Sequence, residues 1–160
     1  MSEAEDALNV GLLAGYASDK KPREITRGSI MGKRITYVDP SISYIDEWFA
    51  GDRLGAGQDI ANDGFKTAIR SYAGGLYPPE VLERVDTTPD EVHARLKQFI
   101  SGSEGKTRLR QPYSITDGEW SYEYSIVEAL EEVGTFVSLE KVLCRSQEVF
   151  AHYFLIVGVE

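Results

Sequence analysis

The sequence predicts an α+β protein: a mainly antiparallel sheet of about eight strands, with an N-terminal helix and one central capped helix packed on it. Alternating runs of β-branched and aromatic residues, separated by hairpin-length turns, favour antiparallel strands. The apolar period lengthens to about 3.6 only at the start of the chain and after Pro78-Pro79, so one long helix lies between two strand groups. A parallel doubly wound sheet is disfavoured.

The chain is predicted to begin with a helix of about fifteen residues. Leu8, Leu12 and Tyr16 follow one another at intervals of four, which forms a single apolar stripe. Acidic residues near its start suit the helix dipole, and Pro22 prevents the helix from continuing. We expect the stripe to lie against the sheet.

The first strand group begins with a hairpin whose turn is Asp39-Pro40-Ser41. Gly74-Gly75 is expected to end the group, since glycine weakens a strand. The predicted strands are 33–38, 42–49, 54–61 and 65–73.

The central helix has the clearest boundary in the chain. Thr88-Pro89-Asp90-Glu91 is a capping box with proline at the first helical position. The helix is predicted to run to about Ser101, with Gly102 as its C-terminal cap. Its apolar face consists of Val92, Leu96, Phe99 and Ile100.

A second strand group follows the helix and repeats the spacing of the first. At a constant offset of 82 residues, Tyr72 aligns with Phe154 and Ile60 with Val142. The spacing allows either two similar sheets or one pseudo-symmetric sheet. The predicted strands are 108–116, 120–127, 135–144 and 149–159.

The composition predicts one soluble domain over residues 1–160. The formal net charge of −9 disfavours direct binding to nucleic acid or to anionic membranes. No segment has the roughly 20 apolar residues of a membrane helix, and the acidic start does not resemble a signal peptide. The single cysteine, Cys144, cannot form an internal disulfide, so a cytoplasmic location is expected.

Charge is unevenly distributed, because residues 19–34 carry six Lys or Arg residues against Asp19 and Glu24. Such a run is typical of a solvated surface segment. The alternative is a contact for an anion or an acidic partner.

Familiar catalytic and cofactor motifs fail on particular residues. The loop 102–107 has Ile100 where a phosphate-binding loop needs glycine, and the run 55–60 has Ile60 where a dinucleotide fingerprint needs its third glycine. For a loop at 145–148, strand alternation places Cys144 and His152 on opposite faces of a hairpin. The sequence therefore predicts no catalytic residue, metal site or cofactor.

Tyr44, Asp46 and Trp48 form the most distinctive group, because three alternate residues on one strand face place an acid between two aromatic rings. If that face is buried, desolvation raises the pKa of Asp46 unless Arg70 or another donor pairs with it. The simpler interpretation is a structural hydrogen bond to a tyrosine hydroxyl or a backbone amide.

Trp120, Tyr122 and Tyr124 form a second aromatic strand face. Together with Tyr44, Asp46, Trp48 and Arg70 they are candidate ligand-binding residues, since aromatic walls with a few polar groups suit a small molecule. The alternative is that they are core residues of the sheet.

The chain contains the short motifs Gly15-Tyr16-Ala17, Gly28-Ser29, Tyr44–Gly51, Gly57–Ile60 and Tyr72-Ala73-Gly74. Together they resemble those of a family of small bacterial domains of unknown function, found alone or fused to helix-turn-helix DNA-binding domains. The resemblance covers most of the chain, and the tryptophan that the family carries in the fourth strand is replaced here around Thr67 and Ala68. It implies this fold and a bacterial, cytoplasmic setting, and it assigns no catalytic or binding residues.

Three functions are compatible with the sequence. The leading hypothesis is a non-enzymatic binding or regulatory module for a protein or a small molecule, because no nucleophile, metal site or cofactor loop is assembled. The second is an enzyme that uses Asp46 as an acid or base in an aromatic-lined pocket. The third is an acidic, immunity-type partner that neutralises a basic protein.

Overall fold

The computed structural model describes residues 3–159 and places all of their strands in one antiparallel sheet. Residues 1, 2 and 160 lie outside the described residues. In chain order the elements are α1 (Glu3–Ala14), β1 (Arg23–Arg27), β2 (Ile30–Val38), β3 (Ser43–Ala50), β4 (Leu54–Asn62), β5 (Thr67–Leu76), α2 (Pro79–Arg84), α3 (Pro89–Gly102), β6 (Tyr113–Asp117), β7 (Trp120–Leu130), β8 (Thr135–Cys144) and β9 (Gln147–Val159).

The strand order is β1-β2-β3-β4-β5-β9-β8-β7-β6. Two meanders therefore meet at the centre of the sheet, where β5 pairs with β9, and α2 and α3 connect the end of one meander to the start of the other. This architecture confirms the predicted α+β class. None of the helices in residues 3–159 is long and apolar enough to cross a membrane.

The structure has one strand more than the eight predicted. The additional strand is β1, which lies in the basic segment 19–34 that was predicted to be a solvated surface segment. It forms because Gly28 adopts a left-handed conformation (φ 63°) in a tight turn, which lets β1 pair with β2. The basic segment 19–34 is therefore largely an edge hairpin. Its Arg27 and Arg34 both reach Glu47 on β3. Charged edge strands of this kind hinder pairing with other chains.

The prediction that Gly74-Gly75 ends the first meander is wrong, because β5 continues through both glycines to Leu76. Each has φ of 144°, and a Cβ on either would overlap neighbouring backbone: that of Ala151 on β9 for Gly74, and that of Arg53, just before β4, for Gly75. Glycine thus permits β5 to pass between two close backbones.

The capping box of α3 is confirmed, with the Thr88 side chain accepting a hydrogen bond from the Glu91 amide. Gly102 is the last helical residue, and Ser103 rather than Gly102 forms the C-terminal cap. The strand predicted from 108 begins only at Tyr113, because Arg108 has a positive φ of 62° and its side chain turns into the core.

The helices cover one face of the sheet. α1 packs across β2 to β5, and α3 contacts β7 and β8. Gly11 allows α1 to approach the sheet closely, because a Cβ there would overlap the Tyr44 ring. The core between the layers is rich in aromatic residues, among them Tyr122, Phe150 and Phe154.

The sheet is pseudo-symmetric about its central strand pair, one of the two arrangements that the offset of 82 residues allows. Tyr72 on β5 lies opposite Phe154 on β9, as a two-fold axis at that point requires. Asp59 on β4 lies opposite Arg70, and at the matching place in the other meander Glu140 lies opposite His152.

Tyrosine hydroxyls occupy matching positions around these two carboxylates. Tyr44 on β3 donates to Asp59 (3.0 Å), and Tyr122 on β7 donates to Glu140 (2.6 Å). Both tyrosines and both acids are buried. The two meanders therefore repeat an arrangement of buried polar side chains. The offset is 82 residues only at β5 and β9, and it is 81 from Asp59 to Glu140 and 78 from Tyr44 to Tyr122, so the predicted constant offset does not hold across the meanders.

Two buried arginine–carboxylate pairs neutralise these acids. Arg70 bonds Asp59 through Nε (2.9 Å to Oδ1) and Nη2, and Arg108 bonds Glu140 through Nε and Nη2, each at 2.7 Å. Nη1 of Arg70 also donates to the Arg108 carbonyl (3.1 Å) and to Oδ1 of Asn9 on α1 (2.9 Å). One guanidinium thus links the first meander, α1 and the segment that precedes β6.

We expect Arg70→Met to lower the free energy of unfolding by about 3–5 kcal/mol, because Asp59 would remain buried without its cation. Arg27→Met is the control, since its ion pair with Glu47 is exposed and is expected to contribute at most about 1 kcal/mol. Urea denaturation measures both values. The double variant Arg70→Met/Asp59→Asn should recover part of the loss, and equal costs for the two single variants would contradict this account.

Candidate functional site

A pocket of about 140 Å³ lies between α3, the turn after α1 and the sheet. Its volume is close to that of an engineered cavity of about 150 Å³ that binds benzene. The strands contribute the last residues of β3 and β5 and the first of β4. Its polar and aromatic side chains include Tyr16, Asp46, Trp48, Tyr72, Arg108 and His152.

The alternation of β3 places Tyr44, Asp46 and Trp48 on the helix-covered face, as predicted. α1 covers Tyr44, which belongs to the core. Asp46 and Trp48 lie further along the strand and border the pocket. The neighbouring strands supply Tyr72 and His152 to the same pocket.

Asp46 is only 4% exposed and accepts a hydrogen bond of 2.7 Å from the Tyr72 hydroxyl. Burial, reinforced by the negative charge of Asp59, raises the pKa of Asp46 to about 7, and the Tyr72 hydrogen bond offsets only part of that rise. Arg70, the partner suggested by the sequence, bonds Asp59 instead. The tyrosine hydroxyl is the donor that the simpler interpretation named.

The buried polar cluster contains one more carboxylate than arginine. Asp59 is paired with Arg70 and Glu140 with Arg108, each through two guanidinium nitrogens. Asp46 is bonded only to a neutral hydroxyl among the described contacts. The pocket therefore has at its wall a buried acid whose charge no arginine directly pairs.

His152 lines the pocket beside Tyr72, with 5.5 Å between the ring centroids. Its Nδ1 lies 3.6 Å from Oε1 of Glu140 and has no hydrogen-bond partner among the described residues. Burial lowers the pKa of His152, and the neighbouring Glu140 opposes that shift. At neutral pH the imidazole is therefore uncharged.

The prediction that Cys144 and His152 lie on opposite faces is wrong. The turn contains only Arg145 and Ser146, and a bulge shifts the register between Val142 and Leu143, so both side chains lie on the helix-covered face. Glu140, opposite His152, is four residues from Cys144, or about 13 Å along the strand. At this separation, Cys144 and His152 do not form a catalytic pair.

Aromatic rings form the side of the pocket near α1. Tyr16 and Trp48 meet edge to face, with ring centroids 6.0 Å apart and an interplanar angle of 88°. Lys97 of α3 lies over the Tyr16 ring, with Nζ 5.0 Å from the centroid. These contacts hold the Trp48 ring at the wall.

The second aromatic face lies elsewhere. Tyr122 is buried, and its hydroxyl donates a hydrogen bond to Glu140 (2.6 Å). The Tyr124 hydroxyl donates to the Leu109 carbonyl (2.6 Å). Trp120 lies under the Arg95 guanidinium (5.5 Å to the ring centroid), in a surface depression separate from the pocket. Of the seven candidate residues, the structure brings Asp46 and Trp48 to the pocket.

Sequence reasoning did not identify Tyr16, Tyr72, Arg108 and His152 as pocket residues. Tyr16 was assigned only to a helical stripe, and His152 was set aside on strand parity. No pattern marked Arg108, because it reaches Glu140 from an irregular segment 32 residues earlier in the chain. The signal that could have found Tyr72 is its alternation with Arg70 on β5, which places both on one strand face.

Comparison with protein-family models, with curated proteins and with solved structures finds no match for this chain. Within residues 3–159, no group of three His, Cys, Asp or Glu side chains is arranged to hold a metal ion. The site must therefore be interpreted from its own geometry.

The stability of the Asp46→Asn variant, relative to that of the wild type, should increase as the pH rises. Between about pH 4 and pH 7 the folded protein retains a proton on Asp46 that the unfolded chain, with a pKa of 3.8, has released. The contribution of this group to the free energy of unfolding therefore falls through that window and is constant above it. Asn cannot ionise, so its advantage over Asp should grow by about 2–3 kcal/mol between pH 5 and pH 8.

Urea denaturation of both proteins across this pH range measures the difference. The wild type and the variant differ only at residue 46. Both therefore keep the other groups that face this position, which are Asp59, Arg70, Tyr72, Arg108 and Tyr16. Asp52→Asn, at the exposed pocket mouth, is the control, because it removes an acid of the same type that is not buried. A constant difference for Asp46→Asn would refute the assignment of a buried, protonated acid.

Proposed function

We propose that this protein is a binding module that holds a small molecule in the pocket between α3 and the sheet. The observation that carries the proposal is the position of Asp46, a buried carboxyl group at the wall of a benzene-sized pocket and without a bonded cation. A buried ionisable group is costly unless it is paired, and such groups concentrate at functional sites.

The surroundings of Asp46 support a ligand site. Ligand pockets are mostly apolar and contain a few polar groups that fix orientation. Here Trp48 and Phe150 supply apolar surface, while Asp46 and His152 supply the polar groups. The strands that carry these side chains are rigid, so the pocket is formed before any ligand arrives.

The lining argues against covalent catalysis by a serine, threonine, cysteine or lysine nucleophile. Among the described residues, no side chain of these four types lines the pocket. Asp46, Tyr72 and His152, which do line it, belong to the other types that can act as nucleophiles. A regulatory role, in which ligand binding alters contacts with another protein, agrees with the resemblance to small bacterial domains found fused to DNA-binding domains.

An enzyme that uses Asp46 as a general acid or base is the second candidate. The pKa of about 7 for Asp46 favours it, because proton transfer is most efficient when the pKa of the catalytic group is near the working pH. In that case compounds that bind would be converted, and Asp46→Asn would abolish conversion but not binding. Product analysis by mass spectrometry distinguishes turnover from binding alone.

Neutralisation of a basic protein, the third hypothesis, draws on the net charge of −9 and not on the pocket. The basic hairpin of β1 and β2 carries the opposite charge at one edge of the sheet. The geometry of Asp46 favours the small-molecule site over this alternative.

Blocking the pocket mouth should abolish ligand binding. Ala50 lies at the exposed end of β3 and lines the pocket, so Ala50→Phe would place a ring in the opening. Saturation-transfer NMR with a set of fragment-sized compounds should detect binding to the wild type. Ala50→Phe should lower the affinity at least about tenfold, which is roughly the contribution of burying one apolar side chain.

Ala73→Phe is the matched control, because Ala73 is exposed on β5 and does not line the pocket. It should bind the same compounds as the wild type. If Ala50→Phe retains all binding, or if bound compounds perturb only resonances remote from Asp46 and Trp48, the pocket is not the site.

A further inference from the structure

We propose that the pocket selects a small organic monocation, an aromatic or aliphatic ammonium of about the size of benzylamine, whose nitrogen bonds the Asp46 carboxylate. This inference rests on the proposed function and specifies the class of ligand. It follows from the charge balance of the cluster, from the pocket walls and from the pocket volume.

Charge balance is the first step. Three buried carboxyl groups lie near the pocket, those of Asp46, Asp59 and Glu140, and two buried arginines bond the latter two. A single positive charge beside Asp46 would give each carboxylate its own cation. Without that charge, ionised Asp46 is an uncompensated buried anion, the costly state for a buried acid.

The cationic side chains at the pocket are already engaged. Arg108 directs Nε and Nη2 to Glu140, and Arg53 at the mouth directs Nη1 to the Leu76 carbonyl (3.0 Å). Burial lowers the pKa of both His93 and His152, so neither supplies positive charge at neutral pH. The remaining partner for Asp46 is therefore a group that the ligand brings.

The walls suit an organic cation rather than a metal ion. Trp48, the best type of side chain for cation–π contact, lies two residues from Asp46 on the same strand face, and Tyr16 meets it edge to face. Among the described residues, no cluster of three acidic, histidine or cysteine side chains could coordinate a metal. An ammonium needs one carboxylate and aromatic faces, which this pocket provides.

The volume limits the ligand. A pocket of about 140 Å³ accommodates one six-membered ring with a short substituent. The buried Phe150 ring would contact the hydrocarbon part while the nitrogen lies at Asp46. Nucleotides exceed this space.

Binding should be linked to proton release. An ammonium stabilises ionised Asp46, whereas the free site is largely protonated below pH 7. The groups that face Asp46 are Asp59 from β4, Tyr72 and Arg70 from β5, Arg108 from the segment before β6, and Tyr16 after α1. The pKa values of Arg70, Arg108, Tyr72 and Tyr16 are all raised, so these groups keep their charge states between pH 6 and pH 8. Affinity for the cation should therefore fall about tenfold from pH 8 to pH 6, as Asp46 takes up a proton.

The test compares three probes of similar size and different charge: benzylammonium, benzyl alcohol and benzoate. Isothermal titration calorimetry and 1H–15N NMR on the wild type at pH 8 should show benzylammonium binding at least about tenfold tighter than benzyl alcohol, with benzoate weakest. At pH 6 the advantage of the cation should largely disappear.

Asp46→Asn supplies the decisive variant. It should lose the preference for benzylammonium and keep its affinity for benzyl alcohol. Asp6→Asn, at an exposed position of α1 that does not line the pocket, should change neither by more than about twofold. Circular dichroism and urea denaturation check that Asp46→Asn is folded, as expected at pH 8, where its relative stability is greatest.

The outcomes separate this inference from the proposed function. Equal binding of the cation and the alcohol, tighter binding of benzoate, or an unchanged preference in Asp46→Asn would overturn the ligand class and leave a small-molecule pocket in place. If the wild type binds none of the probes and no compound of the fragment set, both proposals fail.

Discussion

The pairing of buried arginines with buried carboxylates determines how this fold is assembled. Arg70 neutralises Asp59 within the first meander and donates to the backbone of Arg108, whose own side chain neutralises Glu140 in the second. The loss of either arginine would leave a bare charge in the core. The two meanders, α1 through Asn9, and the irregular segment before β6 are therefore held in one arrangement.

The pocket exists because the pseudo-symmetry is incomplete. His152 occupies the position in the second meander that Arg70 occupies in the first, so the cation for Glu140 comes instead from Arg108. On the next strand of each meander, Asp46 of β3 corresponds to Tyr124 of β7, whose hydroxyl reaches the Leu109 carbonyl. A symmetric sheet would bury a tyrosine where this one has an acid with no bonded arginine.

Local features of the sequence were sufficient to predict much of the framework. The capping box at Thr88 and the alternation through Tyr44, Asp46 and Trp48 depend on neighbours in the chain, and both are confirmed. The path of Arg108 depends on a positive φ and on a carboxylate 32 residues away, so no local pattern reveals it. Strand parity for His152 failed for a related reason, because a single bulge reverses every assignment beyond it.

Asp46 is the place where local rules and global stability disagree. A leucine or an asparagine at this position would avoid the cost of desolvating a carboxylate, and the Tyr72 hydroxyl alone does not compensate for that cost. Natural sequences break such rules chiefly at functional sites, where a ligand supplies the missing interaction. A cation in the pocket would supply the charge that Arg70 and Arg108 give to the other two acids. Under the proposed function, the cost of burying Asp46 without a cation would become part of the selectivity for a cationic ligand.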